Sequence, residues 1–225
     1  MTDTDTLTLP VLPLTTGVVL PQMVVTIALE SDEAKAATTA AGENGRLLLV
    51  PRIDGANPRV GVVARIESSG TLPGGAQALV VRAEHRARLG TGVVGTTDTL
   101  WLQADPVTEG EPTERAIELA RELKATLKQV LEHIGGRRLS EALRGLDDPS
   151  ELADAAGWWP DLSLERKVEL LETIDVEGRV EKVLAWAKES LGELELAERI
   201  RTDVSEGMES QQREFLLRRQ MDAIR

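Results

Sequence analysis

The sequence has no cysteine, no tyrosine, a single phenylalanine (Phe215) and only two histidines, His85 and His133. Without cysteine there are no disulfides, no thiolate zinc site and no thiol nucleophile, and two distant histidines give metal chemistry little to work with. Aromatics make up 2% of the chain, so a core drawn from its 41% hydrophobic residues has to be aliphatic. Basic residues are also short, 26 against 38 acidic, for a formal charge of -12. A polyanion is held by many Lys and Arg contacts, so this balance disfavours nucleic acid as a partner. No run approaches the 18 or so apolar residues of a membrane span, and the polar, acidic start MTDTDTLTLP lacks the basic and apolar segments of a secretory signal. These absences lead to the expectation of a soluble, cytoplasmic, metal-free protein with no membrane partner.

Of the 225 residues, those from Thr6 to about Pro106 place their apolar side chains in short runs broken by Gly and Pro. That pattern predicts strands near 7–14, 23–29, 46–52, 59–68, 76–82, 85–94 and 100–106. Pro10 and Pro13 cannot donate to a ladder, which puts the first strand at an edge. Leu72-Pro73-Gly74-Gly75 supplies a fixed φ followed by positive-φ freedom, the chemistry of a hairpin connection. Ser31, followed by Asp32 and Glu33, predicts a capped helix from 31 to 41. A β domain of about 105 residues is large enough to be expected to fold alone.

Beyond Gly110-Glu111-Pro112 the apolar spacing changes to threes and fours. Ala116, Ile117, Ala120, Leu123, Leu127, Val130, Leu131 and Ile134 form one helical stripe, closed by Gly135-Gly136. Asp148-Pro149 opens a short helix, Ser163 caps another and Asp175 starts a fourth. These stripes need one another, which predicts a small bundle. From Glu193 to Arg225 the apolar positions become sparse, and a helix of this length would reach about 50 Å, so part of it must project. Gly207 marks a plausible bend, and a pattern interrupted at Arg225 leads us to expect that the natural chain continues. The predicted class is therefore α+β: a β-rich pseudo-barrel domain over 1–110, a helical bundle over 111–192 and a long helical arm over 193–225.

Few residues propose chemistry. Asp147-Asp148 has the composition of a catalytic carboxylate pair, but a cap before Pro149 explains it more simply. His85 beside Arg86 and Arg88 offers the residue types of a phosphate or general-base site, and also those of a strand end or turn, which is our reading. Arg137-Arg138 and Arg218-Arg219 are local basic pairs in a net acidic half. Trp158-Trp159 before Pro160 stands out, because two adjacent indoles in a loop are hard to bury together.

Three segments carry a family resemblance: PVLPLTTGVVLPQM, VGVVARIESSGTLPGGAQALVVRAEHRARL, and SLERKVELLETIDVEGRVEKVLAWAKESLGELELAERIRTDVSEGMESQQREFLLRRQMDAIR. They resemble the N-terminal domain of the Lon ATP-dependent proteases and the helical region that leads into the ATPase module. The sequence departs from the family at Gln22, where many members have Gly, at Thr26, where a second Pro is common, and at Glu30-Ser31, where Gly-Arg is frequent. The resemblance implies a parent enzyme that unfolds proteins with ATP and cleaves them with a Ser-Lys dyad as a homohexamer, in protein quality control and the stress response. ATP and Mg would then belong to the absent ATPase module. This chain contains no G-x-x-x-x-G-K-[ST] phosphate loop and no assignable dyad, hence no catalytic residues and no cofactor of its own. The implied role is recognition of unfolded or damaged protein substrates, with a purely structural spacer as the alternative. Candidate substrate-binding residues are Met208, Phe215, Leu216, Leu217 and Met221 on the arm, together with Trp158 and Trp159.

Overall fold

The structure, a computed structural model, describes residues 6–43, 45–52, 58–93, 99–134, 143 and 145–224, with side chains for all of these except 209–211, 214–216, 218 and 221–224. Its class is α+β. In chain order the elements are β1 (Leu7–Leu14), β2 (Val24–Ala28), α1 (Asp32–Ala41), β3 (Arg46–Pro51), β4 (Val60–Thr71), β5 (Gln77–Val93) and β6 (Trp101–Pro106), followed by α2 (Glu114–Ile134), α3 (Pro149–Asp154), a 3-10 turn (Ala155–Trp158), α4 (Leu164–Glu172) and α5 (Val176–Ile224). Local chemistry places several of these ends. The Ser31 hydroxyl accepts from Ala34 N at 3.1 Å, and Ser163 does the same for Arg166 N at 3.3 Å. Gly74 and Gly75 take positive φ in the β4–β5 hairpin, as the Leu-Pro-Gly-Gly sequence requires.

The strands run in the order β2-β5-β4-β3-β1-β6, and β6 pairs again with β5, closing five strands into a ring with β2 alongside the first half of β5. Two sequence expectations change here. The first strand is not an edge: β1 lies between β6, which it meets at Leu7–Pro10, and β3, which it meets at Val11–Leu14. Each proline falls on a stretch registered with one neighbour only, so its missing N–H deprives no second strand. The runs 76–82 and 85–94 are also one strand. Its register with β4 steps from Ala64↔Ala83 to Val63↔His85, leaving Glu84 as an extra residue. Such a bulge bends a strand without ending it, which suits a sheet that must close. His85 consequently sits mid-strand and is neither a strand end nor a turn.

Both faces of the central strands are buried, which explains their unbroken apolar runs. Leu48, Val63, Val11 and Ala87 feed a small cluster, whereas their neighbours Leu47, Leu49, Val62 and Leu12 join a large one. That larger core continues into the helices through Leu123, Leu152, Leu170, Leu171, Val180 and Val183. Helices α2 and α5 lie parallel, as the ladder of contacts Arg115–Glu181, Lys188–Glu122 and His133–Glu198 shows by its nearly constant sequence offset. Helix α5 runs without a break through Gly192, within that ladder, and on past its last rung through Gly207. Leu196, Ile200, Val204 and Met208 are more than half exposed there. Among the described residues, no helix is long and apolar enough to cross a membrane.

Candidate functional site

The connection between β1 and β2 ends in a tight turn, Leu20-Pro21-Gln22-Met23. Met23 N donates to Leu20 O at 3.3 Å, proline occupies the second position and Gln22 has φ 66°, the features of a type II turn. Position 22 is one that glycine fills without steric cost, which gives a physical reason for the glycine common there in the resembling family. Backbone bonds between Gln22 N and Ala83 O (3.0 Å) and between Ala83 N and Met23 O (2.9 Å) stitch the turn to β5.

That turn forms one side of an apolar groove of about 410 Å³. A second side is the last two turns of α2, where Leu127, Val130, Leu131 and Ile134 recur at helical spacing. The third comes from the 3-10 turn and its exit, with Trp158, Trp159 and Pro160. Gly157 lets this third side approach the first: a Cβ there would stand 2.6 Å from Met23 Sδ and 3.2 Å from Leu20 Cδ1. Trp158 is 55% exposed, and Trp159 is half-buried against the main core.

Among the described residues, two carboxylates, Glu151 and Asp154, are the charged groups in the lining. Asp154 is 3% exposed and spoken for, because Arg86 Nη1 and Nη2 donate to its two oxygens, each at 2.7 Å. The same guanidinium donates through Nε to Leu171 O (3.0 Å) and through Nη2 to Leu170 O (3.2 Å). Arg179, fully buried in the first turn of α5, donates to Ser150 Oγ at 2.8 Å, pairs with Glu109 and lies 3.7 Å from Asp154. A planar fork gripping both carboxylate oxygens is the geometry in which burying two charges is tolerable. The network therefore ties β5, α3, α4 and α5 together and cancels the charge of Asp154. Glu151 is exposed, and its carboxylate has no ion-pair or hydrogen-bond partner among the described residues.

Of the residues singled out in the sequence, Trp158 and Trp159 meet in this groove. Met208 and Leu217 do not line it; they are exposed on α5, 62% and 54% respectively. The side chains of Phe215, Leu216 and Met221 lie outside the described residues, as do Gly135-Gly136 and Arg137-Arg138. Asp148 is a cap, its Oδ1 accepting from Ser150 N and Glu151 N, and Asp147 pairs with Lys124 at 2.9 Å. His85 carries a pKa held below its ordinary value by burial, with Glu84 opposing the shift and Arg46 adding to it. Sequence reasoning noted Arg86 only as a neighbour of His85 and missed its buried pair with Asp154, whose distance along the chain leaves no local pattern. It also read the end of the α2 stripe as bundle core alone. Among the described residues, no group of three His, Cys, Asp or Glu could hold a metal ion.

The family model for the ATP-dependent protease La (LON) substrate-binding domain matches residues 8–189. The chain is 49% identical over 220 residues to a Lon protease of Salinispora arenicola and 44% identical over 220 residues to one of Mycolicibacterium smegmatis, covering 97% of this chain in each case. It spans 28% of the length of each of these relatives. Among solved structures, the N-terminal domain of a Mycobacterium avium complex Lon protease superposes with a TM-score of 0.76 at 39% identity, covering 80% of this chain and 98% of that one. A Lon N-terminal domain protein from Xanthomonas campestris, at 21% identity and a TM-score of 0.58 over 80% of this chain and 98% of its own, shares the fold. With a matched segment that runs from β1 into α5 and takes in every wall of the groove, the chain belongs to the family of Lon substrate-binding domains.

Proposed function

We propose that this chain is the substrate-recognition and assembly region of a Lon-type ATP-dependent serine protease, and that the groove between the Pro21-Gln22 turn, α2 and Trp158-Trp159 receives apolar segments of unfolded or damaged proteins. The observation that carries the reading is the groove itself: an open, largely apolar hollow of about 410 Å³ on a chain whose other described large apolar residues, outside the exposed row on α5, are mostly packed away. Folded proteins hide such segments and unfolded ones expose them, so an aliphatic and indole surface discriminates by accessibility more than by sequence. Six copies in a cytoplasmic homohexamer would turn weak contacts into useful ones through effective concentration. ATP and magnesium would act in a module outside this chain, as would the cleaving dyad.

The spacer reading keeps one observation of its own, the exposed row Leu196, Ile200, Val204 and Met208 on α5, which suits contact with another protein surface. Photo-crosslinking separates the two. A crosslinking residue at position 131 should capture an unfolded substrate and one at position 71, on the far hairpin, should not; capture at position 208 alone would move recognition to the helix and leave the groove without a role.

A further inference from the structure

We infer that Glu151 makes the groove selective for apolar segments that carry an arginine or lysine next to the apolar anchor, and biased against segments that carry an acid there. The inference rests on the groove being the recognition site, as proposed above. It starts from the charge distribution. Among the described residues, Glu151 and Asp154 are the charged groups in the lining, both acidic, and Arg86 already satisfies both oxygens of Asp154. Glu151 is left as the uncompensated charge among the described residues of the site. It sits three residues after the Asp148 cap, where a glutamate commonly bonds back to the cap's amide, and that bond is absent here among the described residues. The carboxylate is thus free for a ligand.

The neighbouring wall fits the rest of a basic side chain. Arginine and lysine lay their methylenes along apolar surface while the cation seeks a partner, and the exposed face of Trp158 attracts a guanidinium in addition. The protein uses the same trio internally: Arg166 lies 5.5 Å from the centroid of Trp186 and bonds Glu189 at 2.6 Å. In the groove, Trp158 and Glu151 supply two members of that trio, and the incoming segment supplies the third. An acidic residue at the same point meets a like charge beside a low-dielectric wall, where screening is weaker than in bulk water.

The test uses the whole chain and three labelled peptides that share a Leu-Phe core, flanked by Ser, by Arg or by Glu, with binding read by fluorescence anisotropy at low salt. The Arg-flanked peptide should bind about threefold to tenfold more tightly than the Glu-flanked one, as expected for a partly exposed ion pair and its like-charge counterpart. Glu151→Gln should erase the difference and leave the Ser-flanked peptide unchanged, and Glu151→Lys should reverse the order. Both sites of change are exposed, and a thermal melt checks that each variant folds. If the Ser-flanked peptide binds while the Arg and Glu versions bind alike, the charge selectivity is wrong and the groove stands. If the preference survives in Glu151→Gln, it belongs to other residues and the assignment to Glu151 is overturned. If no peptide binds, or if Trp158→Ala changes none of the affinities, the groove reading fails and takes the selectivity with it.

Discussion

Gln22 holds a left-handed backbone at the lip of the groove, a conformation that costs an ordinary L-residue about 1–2 kcal/mol. Glycine removes that cost but adds freedom to the unfolded chain, worth about 0.4–1 kcal/mol in the other direction. The balance favours the folded state, so Gln22→Gly should raise stability by about 0.5–1 kcal/mol, read as a higher urea midpoint with an unchanged slope; a lower midpoint would show that the glutamine side chain contributes more than its backbone strain removes. Asp154 works in the opposite sense. Replacing it by Ala leaves the buried Arg86 charge without its two oxygens, and breaking a buried pair from one side costs about 3–5 kcal/mol. The paired change Arg86→Met with Asp154→Leu should recover most of that loss in the same urea titration. Equal losses in the single and double variants would mean that packing, not the stranded charge, sets the penalty.

Among the elements, the caps were legible in sequence because their chemistry is local: Ser31, Asp148 and Ser163 each act on an amide two or three residues away. Strand positions were legible for the same reason, as apolar runs between turn residues. The continuity of β5 was not, since its bulge at Glu84 is defined by register with β4 and by the need to close the ring. Nor was the interior place of β1, where two prolines argued for an edge and pairing that changes sides halfway removed their cost. Helix α5 shows how far local rules reach. Its first half buries Val180, Val183, Leu184 and Ala187, whereas Leu196, Ile200, Val204 and Met208 stay more than half exposed and helicity there rests mainly on propensity. Gly207 weakens that stretch by up to about 1 kcal/mol relative to Ala and has open space around its Cβ position. Gly207→Ala should therefore slow amide exchange between residues 203 and 211 by up to about fivefold while leaving exchange near Val183 unchanged. A uniform change along the helix would mean that α5 opens as one unit.

At the scale of the molecule, the β and helical halves share one core and one buried ion network. The sequence led us to expect the β half to fold alone. The structure shows what a cut after Gly110 would remove: the helical part of the main core, and from Arg86 both Asp154 and the carbonyls of Leu170 and Leu171. We now expect that truncation to lose its cooperative thermal transition and to bind hydrophobic dye, and a sharp melt of the fragment would show the barrel's own cluster to be sufficient. The candidate site was half legible on the same grounds. Trp158-Trp159 announces itself in any sequence, but the turn at Pro21-Gln22 and the end of α2 become its walls only when segments more than a hundred residues apart are brought together. The root of α5 has one more consequence. Arg179 is fixed in its first turn by Ser150 and Glu109, close to the carboxylate that Arg86 grips, and 49 residues of helix follow from Val176. The part beyond Glu198, the last residue that pairs with α2, spans 26 residues to Ile224 and about 39 Å, so each degree of tilt there carries residue 224 through about 0.7 Å. A tilt of a few degrees thereby displaces the helix at residue 224 by more than a bond length, which makes this stretch a lever whose fulcrum, the end of α2, is also a wall of the groove.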